Sequence, residues 1–194
     1  MNTVITKNYT EPEFNKKEIM RYLGMTQEDK AMTELICECI KECKNAFSYK
    51  LCYSVFDINI DCDEITFPFS TIKSNLLAKH IKDAAKAVIF AGTVGIGIDR
   101  LIAKYSVIAP SKAVVFQEIG AERIEALCDL FCNELKKEYA EVKSRFSPGY
   151  GDLSLDFQKD ILNVLSATKN IGLSLNSGML MSPTKSVTAI VGIK

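Results

Sequence analysis

The run from Pro110 to Val142 constrains this chain most, because Val114, Ile119, Ile124, Leu127, Phe131 and Leu135 recur on one broad face of a helical pattern. A helix of that length has to lay its apolar face on another layer of structure. The preceding segment carries a second strong pattern. Residues Ala84 to Thr93 are nearly unbroken apolar sequence ending in Gly92 and Gly95, the pattern of a central strand feeding a tight turn. A second helix, from Ile98 to about Val107, separates the two.

The flanking sequence mixes the two periodicities without a regular strand–helix–strand rhythm. Lys16 to Leu23 reads as a short helix, and Thr26 as the N-cap of a second that runs to about Phe47 with Asp29 in its first turn. Tyr49 to Ile60 alternates and is rich in Tyr, Val, Phe and Ile. With Glu64-Ile65-Thr66-Phe67 beyond a turn at Asp61-Cys62-Asp63, it predicts a hairpin. Ser70 to Ala78 reads as a capped helix leading to His80. The C-terminal third predicts a turn-rich segment from Arg145 to Asp152, a helix from about Asp156 to Leu165, and strands near Ile171–Leu175 and Ser186–Ile193. The expected class is α+β with a mainly antiparallel sheet and flanking helices, one domain over 1–194 with an N-terminal helical segment over about 1–47.

Composition removes several function classes. Twenty-four basic residues balance twenty-four acidic ones, so no net field recruits nucleic acid or anionic lipid. No run of about 18 apolar residues predicts a membrane span. Residues 1–20, with Lys7, Glu11, Glu13, Lys16 and Lys17, show no signal core, so the expected compartment is the cytoplasm. Seven cysteines, most at helical spacing (Cys39 with Cys43, Cys128 with Cys132), suit reduced core thiols rather than disulfides or a metal site. Gly92-Thr93-Val94-Gly95-Ile96-Gly97 has the wrong spacing for a dinucleotide loop and lacks the Lys of a phosphate loop, which leaves a strand-to-helix turn. His80, the single histidine, sits at a predicted helix end and reads as a cap or surface residue. No catalytic nucleophile stands out.

One loop does. Arg145-Phe146-Ser147-Pro148-Gly149-Tyr150-Gly151-Asp152 combines a planar cation, a rigid turn and an aromatic. Arg145 can pair bidentately with a carboxylate, Pro148-Gly149 can expose backbone groups to an adenine edge, and Tyr150 offers a ring face and a hydroxyl.

The same loop resembles the R-x-x-P-G-Y signature of the activation (reactivation) domain of vitamin B12-dependent methionine synthase, and Met179 to Gly192 resembles that family's closing segment. Lys17 to Gly24, Thr93-Val94-Gly95 with Asp99, and Glu125-Ala126-Leu127-Cys128-Asp129 extend the similarity over almost the whole chain. The resemblance implies a C-shaped α+β domain, in free-standing form. It would bind S-adenosylmethionine in a shallow groove and dock over cobalamin carried by a methionine synthase chain. There, inert cob(II)alamin is rescued by methyl transfer together with an electron from a flavodoxin-like or ferredoxin-like donor. It also implies roles: Arg145 for the ligand carboxylate, Ser147 and Gly149 for backbone contacts, and Tyr150 near the sulfonium. Acidic contacts of the family fall here on Asn133, with Glu134 beside it, and on Gly24, while Leu175-Asn176-Ser177 replaces a carboxylate-bearing triplet. Those replacements leave open an alternative, a module that docks on a corrinoid protein without using S-adenosylmethionine.

Overall fold

The computed structural model describes residues 3–27 and 29–194. In chain order the elements are β1 (Ile5–Asn8), α1 (Lys16–Tyr22), α2 (Lys30–Cys43), β2 (Lys50–Asp57), β3 (Asn59–Asp61), β4 (Glu64–Phe67), β5 (Ser70–Lys73) and α3 (Asn75–His80). They continue with β6 (Lys86–Thr93), α4 (Gly97–Ile108), α5 (Pro110–Glu138), α6 (Phe157–Val164), α7 (Ala167–Ile171), β7 (Ser174–Leu175), β8 (Met181–Ser182) and β9 (Ser186–Ile193). The main sheet runs β1-β2-β6-β9, every neighbour antiparallel, and Phe90 of β6 stands between Tyr53 of β2 and Ala189 of β9. The α+β class with an antiparallel sheet and flanking helices is thus the one expected.

Both faces of the sheet are covered, which is why β6 is buried from Ala87 through Thr93. On one face α5 brings Cys128, Phe131 and Leu135 against Leu51, Tyr53, Phe90 and Val191. The Phe131 ring lies 4.9 Å from that of Tyr53 and 5.0 Å from that of Phe90. On the other, α3, α6 and α7 bury Leu77, Phe157, Ile161 and Ala167 against Cys52, Ile89 and Ile190. The α1, α2 and α4 helices pack on the first half of α5 around Ile19, Ile36, Ile98, Phe116 and Ile119. Among the described residues no helix is long and apolar enough to cross a membrane.

Several boundaries differ from the sequence expectation for local reasons. The segment 1–47 is not wholly helical: β1 pairs with β2, placing Lys7 opposite Leu51. Asp29, not Thr26, caps α2, its carboxylate accepting from the Met32 amide at 2.8 Å. The helix stops at Cys43. Ser70–Lys73 is the third strand of a small sheet, β3-β4-β5, and the helix starts only after Ser74, whose hydroxyl accepts from Leu77 N. β-branched Thr71 and Ile72 pair with Thr66 and Ile65, and that pairing outweighs the helical spacing of Ile72 with Leu76. The α5 helix ends at Glu138, and Val114, expected on the buried face, is 54% exposed. Ile171 belongs to α7, so the strand expected there shrinks to two residues of β7.

The strand-to-helix turn after β6 is where glycine is required. Gly95 has φ +84°, and a Cβ on Gly97 would lie 2.0 Å from the Ala46 carbonyl oxygen. The turn is a structural crossing of two chain segments. Asp99, in the first turn of α4, accepts from the Thr184 amide at 2.9 Å and from its hydroxyl at 2.5 Å, which ties α4 to the segment entering β9.

Candidate functional site

The chain leaving α5 returns along the open edge of β9. Val142 bridges Ile193 and Phe146 bridges Ile190, so residues 142–146 lie extended beside the sheet and alternate their faces. Phe146 turns into the core under α3 and α6. Its neighbour Arg145 therefore turns the other way, toward α5, where Nη2 donates to Glu125 Oε2 at 2.5 Å and lies 3.6 Å from Asp129 Oδ1. Glu125 and Asp129 are four residues apart on one helix and present both carboxylates to the same cation. Burial disfavours the charge on Arg145, but the neighbouring Cys128 sulfur together with the Glu125 and Asp129 carboxylates outweighs it and holds the guanidinium above its ordinary pKa. Behind Arg145, burial pushes the Cys128 thiol up to about 12, so this sulfur remains a protonated core group.

Beyond Phe146 the chain turns at Ser147–Tyr150, where the Tyr150 amide donates to Ser147 O at 3.1 Å and the Gly149 amide to Leu153 O at 2.9 Å. Gly149 has φ +85°. The turn separates two cavities that share Ser147. One, of about 350 Å³, is lined by His80, Ser144, Arg145, Phe146, Ser147 and Tyr150. The other, of about 420 Å³, lies under Pro148 and Leu155 with Met179, Leu180, Met181 and Val187 supplying apolar wall and Gln158 and Thr188 polar groups. Tyr150 is 67% exposed at the rim, its ring edge-on to Phe146 at 5.2 Å.

Five of the sequence-predicted residues, Arg145, Ser147, Pro148, Gly149 and Tyr150, thus form one continuous surface. Asn133 lies apart, in a groove of about 370 Å³ between residues 12–22 and α5, which Glu125 and Asp129 also line. Glu134 faces elsewhere: it accepts from Lys7 Nζ and from the Tyr9 hydroxyl, each at 2.7 Å, and holds β1 to α5. Asn176 is occupied locally, its Oδ1 accepting from the amides of Gly178 and Leu180 and shaping the β7–β8 turn.

The acidic partners of Arg145 are Glu125 and Asp129, which stand in the sequence within the stretch Glu125-Ala126-Leu127-Cys128-Asp129 that carries part of the resemblance. Their i,i+4 spacing on a helix also rich in apolar residues gave the usable signal. Nothing local marked Arg123. Fully buried, it donates to both Glu122 oxygens (2.6 and 2.5 Å) and to the carbonyls of Pro12 (2.6 Å) and Glu13 (2.7 Å), with Phe14 stacked 4.0 Å away. This pair fixes the chain entering α1 against α5, and with it one wall of the groove that holds Glu125.

No family model and no curated protein matches the sequence. Among solved structures the chain is similar to the MetH reactivation domain bound to AdoHcy. The TM-score is 0.73 and the identity 12%, over 98% of this chain and 78% of that one. The fold is therefore that of the methionine synthase reactivation domain.

Proposed function

We propose that this protein binds S-adenosylmethionine at the Arg145–Tyr150 loop and docks on a corrinoid-carrying methionine synthase chain to support reductive methylation of inactive cob(II)alamin. The observation that carries the reading is the pairing of Arg145 with Glu125 and Asp129 beside a backbone-exposing turn. A methionine moiety is a zwitterion with a cationic sulfur, and it asks for a cation and carboxylates within a few ångströms of each other. Arg145 serves the ligand carboxylate. Glu125 and Asp129 serve its ammonium or sulfonium, the task for which Asn133 and Gly24 carry no charge. The apolar cavity beneath Pro148 and Leu155 takes a flat, weakly polar group such as adenine, with Ser147 and Gly149 offering backbone contacts. AdoHcy in a protein of the same fold supports this assignment.

When bound, S-adenosylmethionine supplies the methyl group. The chain's own residues position it, and Tyr150 at the exposed rim faces the corrinoid partner. A flavodoxin-like or ferredoxin-like protein supplies the electron. With no charged nucleophile or free base among the loop residues, holding two reactants in register is the contribution such a site can make.

Isothermal titration with S-adenosylmethionine, alone and with a cobalamin-loaded methionine synthase chain, tests the reading. Binding that Arg145→Ala removes is expected. Absence of heat in both titrations sinks it, and the alternative, docking without ligand, is then tested by the absorbance of the partner's Co(II) form.

A further inference from the structure

The loop that carries the proposed ligand contacts is gripped at both ends by the same short helix. Ser144, its first residue, accepts through its carbonyl oxygen a hydrogen bond from His80 Nε2 at 2.8 Å, with the Ser144 hydroxyl 3.2 Å from the same nitrogen. A carbonyl can only accept, so Nε2 carries the proton. His80 closes α3 at its C-terminal end, and its ring lies 5.7 Å from that of Phe146, which in turn meets Tyr150. Asp152, at the other end of the loop, caps the start of α3. Its carboxylate accepts from the Ser74 hydroxyl at 2.5 Å, from Asn75 N at 2.8 Å and from Leu76 N at 3.3 Å. Between these grips Gly151, at φ +59°, fits under Leu76, where a Cβ would come within 2.5 Å of Cδ1.

Nine residues from Ser144 to Asp152 could span about 30 Å if extended, whereas a six-residue helix is about 9 Å long. Holding the ends one helix length apart requires the chain between them to double back, which the turn at Ser147–Tyr150 does just beyond the Phe146–Ile190 bridge. The helix itself is immobilised, since Leu77, Ala78 and Ile81 are buried in the core.

We infer that α3 is the positioning device for the ligand loop, with His80 and Asp152 as the positioning residues that set its two ends. His80 also lines the cavity that Arg145 and Tyr150 border, but the role assigned to it and to Asp152 is to hold the loop. Each acts through the backbone of the loop, and His80 acts also through the ring sequence His80–Phe146–Tyr150. The consequence for binding rests on the function proposed above. The shape of the loop does not.

Hydrogen exchange followed by mass spectrometry on the intact chain separates the two. His80→Ala is expected to speed exchange across residues 146–151 about tenfold, the worth of one hydrogen bond, while β2 and β6 exchange as in the parent protein. His80→Gln, which restores an N–H donor, should return the loop to parental protection, and His80→Phe, which keeps only the ring contact, should not. Asp152→Asn should loosen the same segment from its other end. Parental exchange in His80→Ala overturns the inference, and so does acceleration shared equally by β2 and β6. In a parallel titration His80→Ala should weaken S-adenosylmethionine about five- to tenfold. If the parent protein binds none, the proposed ligand falls while the exchange result still decides the positioning role.

Discussion

Arg123 and Arg145 both meet carboxylates of α5, yet one is a rivet and the other a handle. Arg123 has no exposed surface and spends four donor contacts on Glu122, Pro12 and Glu13. Wholly buried, it presents no donor to a ligand. Arg145 makes one hydrogen bond, to Glu125, has a second carboxylate at 3.6 Å, and borders a cavity. Both are charged, paired and partly or wholly removed from water, so charge pairing alone does not mark a site. What marks it is a paired charge that stays partly exposed and lines a cavity. In a buried pair the loss of one partner strands the other, whereas in a half-exposed pair water replaces it.

That contrast can be broken by mutation. Arg123→Met should lower stability by about 3–5 kcal/mol in urea unfolding, because Glu122 is left buried and two backbone carbonyls lose their donor. A loss under about 1 kcal/mol would erase the distinction. Glu125→Gln should weaken S-adenosylmethionine binding by about 1–2 kcal/mol in calorimetry, as a charged hydrogen bond becomes a neutral one. Tighter binding would mean that Glu125 only competes with the ligand for Arg145. Arg145→Ala should change unfolding stability by no more than about 1 kcal/mol. Acid probes a third anchored charge, Asp152, whose hydrogen bonds from Ser74 and the amides of α3 hold its carboxyl below the usual aspartate value. A depressed carboxylate stabilises the fold fully above about pH 4 and loses that contribution as pH falls through its lowered value. Exchange protection of residues 146–151 should follow that window, and a rise in protection on acidification would contradict the sign. The smallest effect belongs to the exposed pair of Lys159 with Asp156 at 2.9 Å, where Asp156→Ala should stay within about 0.5 kcal/mol.

The sequence made the layers legible because long-period patterns survive averaging. The apolar run of β6 and the apolar face of α5 are each specified by many residues, and a single exception such as Val114 does not disturb them. Short elements were misread where pairing decides: Ser70–Lys73 joins a sheet through partners a few residues away, and β1 reaches across to β2. The Arg145–Tyr150 loop was readable because its residue types are rare together. Glu134, expected at the ligand, accepts from Lys7 and Tyr9 instead, since side-chain direction on a helix turns by about 100° per residue and one position separates a groove from a strand contact, while Asn176 is taken up by the β7–β8 turn. Glu125 and Asp129 were in view as letters. Only the return of the chain along β9 brings Arg145 onto their face.

The partly exposed Arg145 is the proposed ligand handle, and the buried Arg123 is not. Titrating S-adenosylmethionine into the parent protein and Arg145→Ala, each verified as folded by its unfolding curve, tests it most directly. Single-site binding by the parent and none by a fully stable Arg145→Ala is the expected result. Equal binding by both proteins would contradict it.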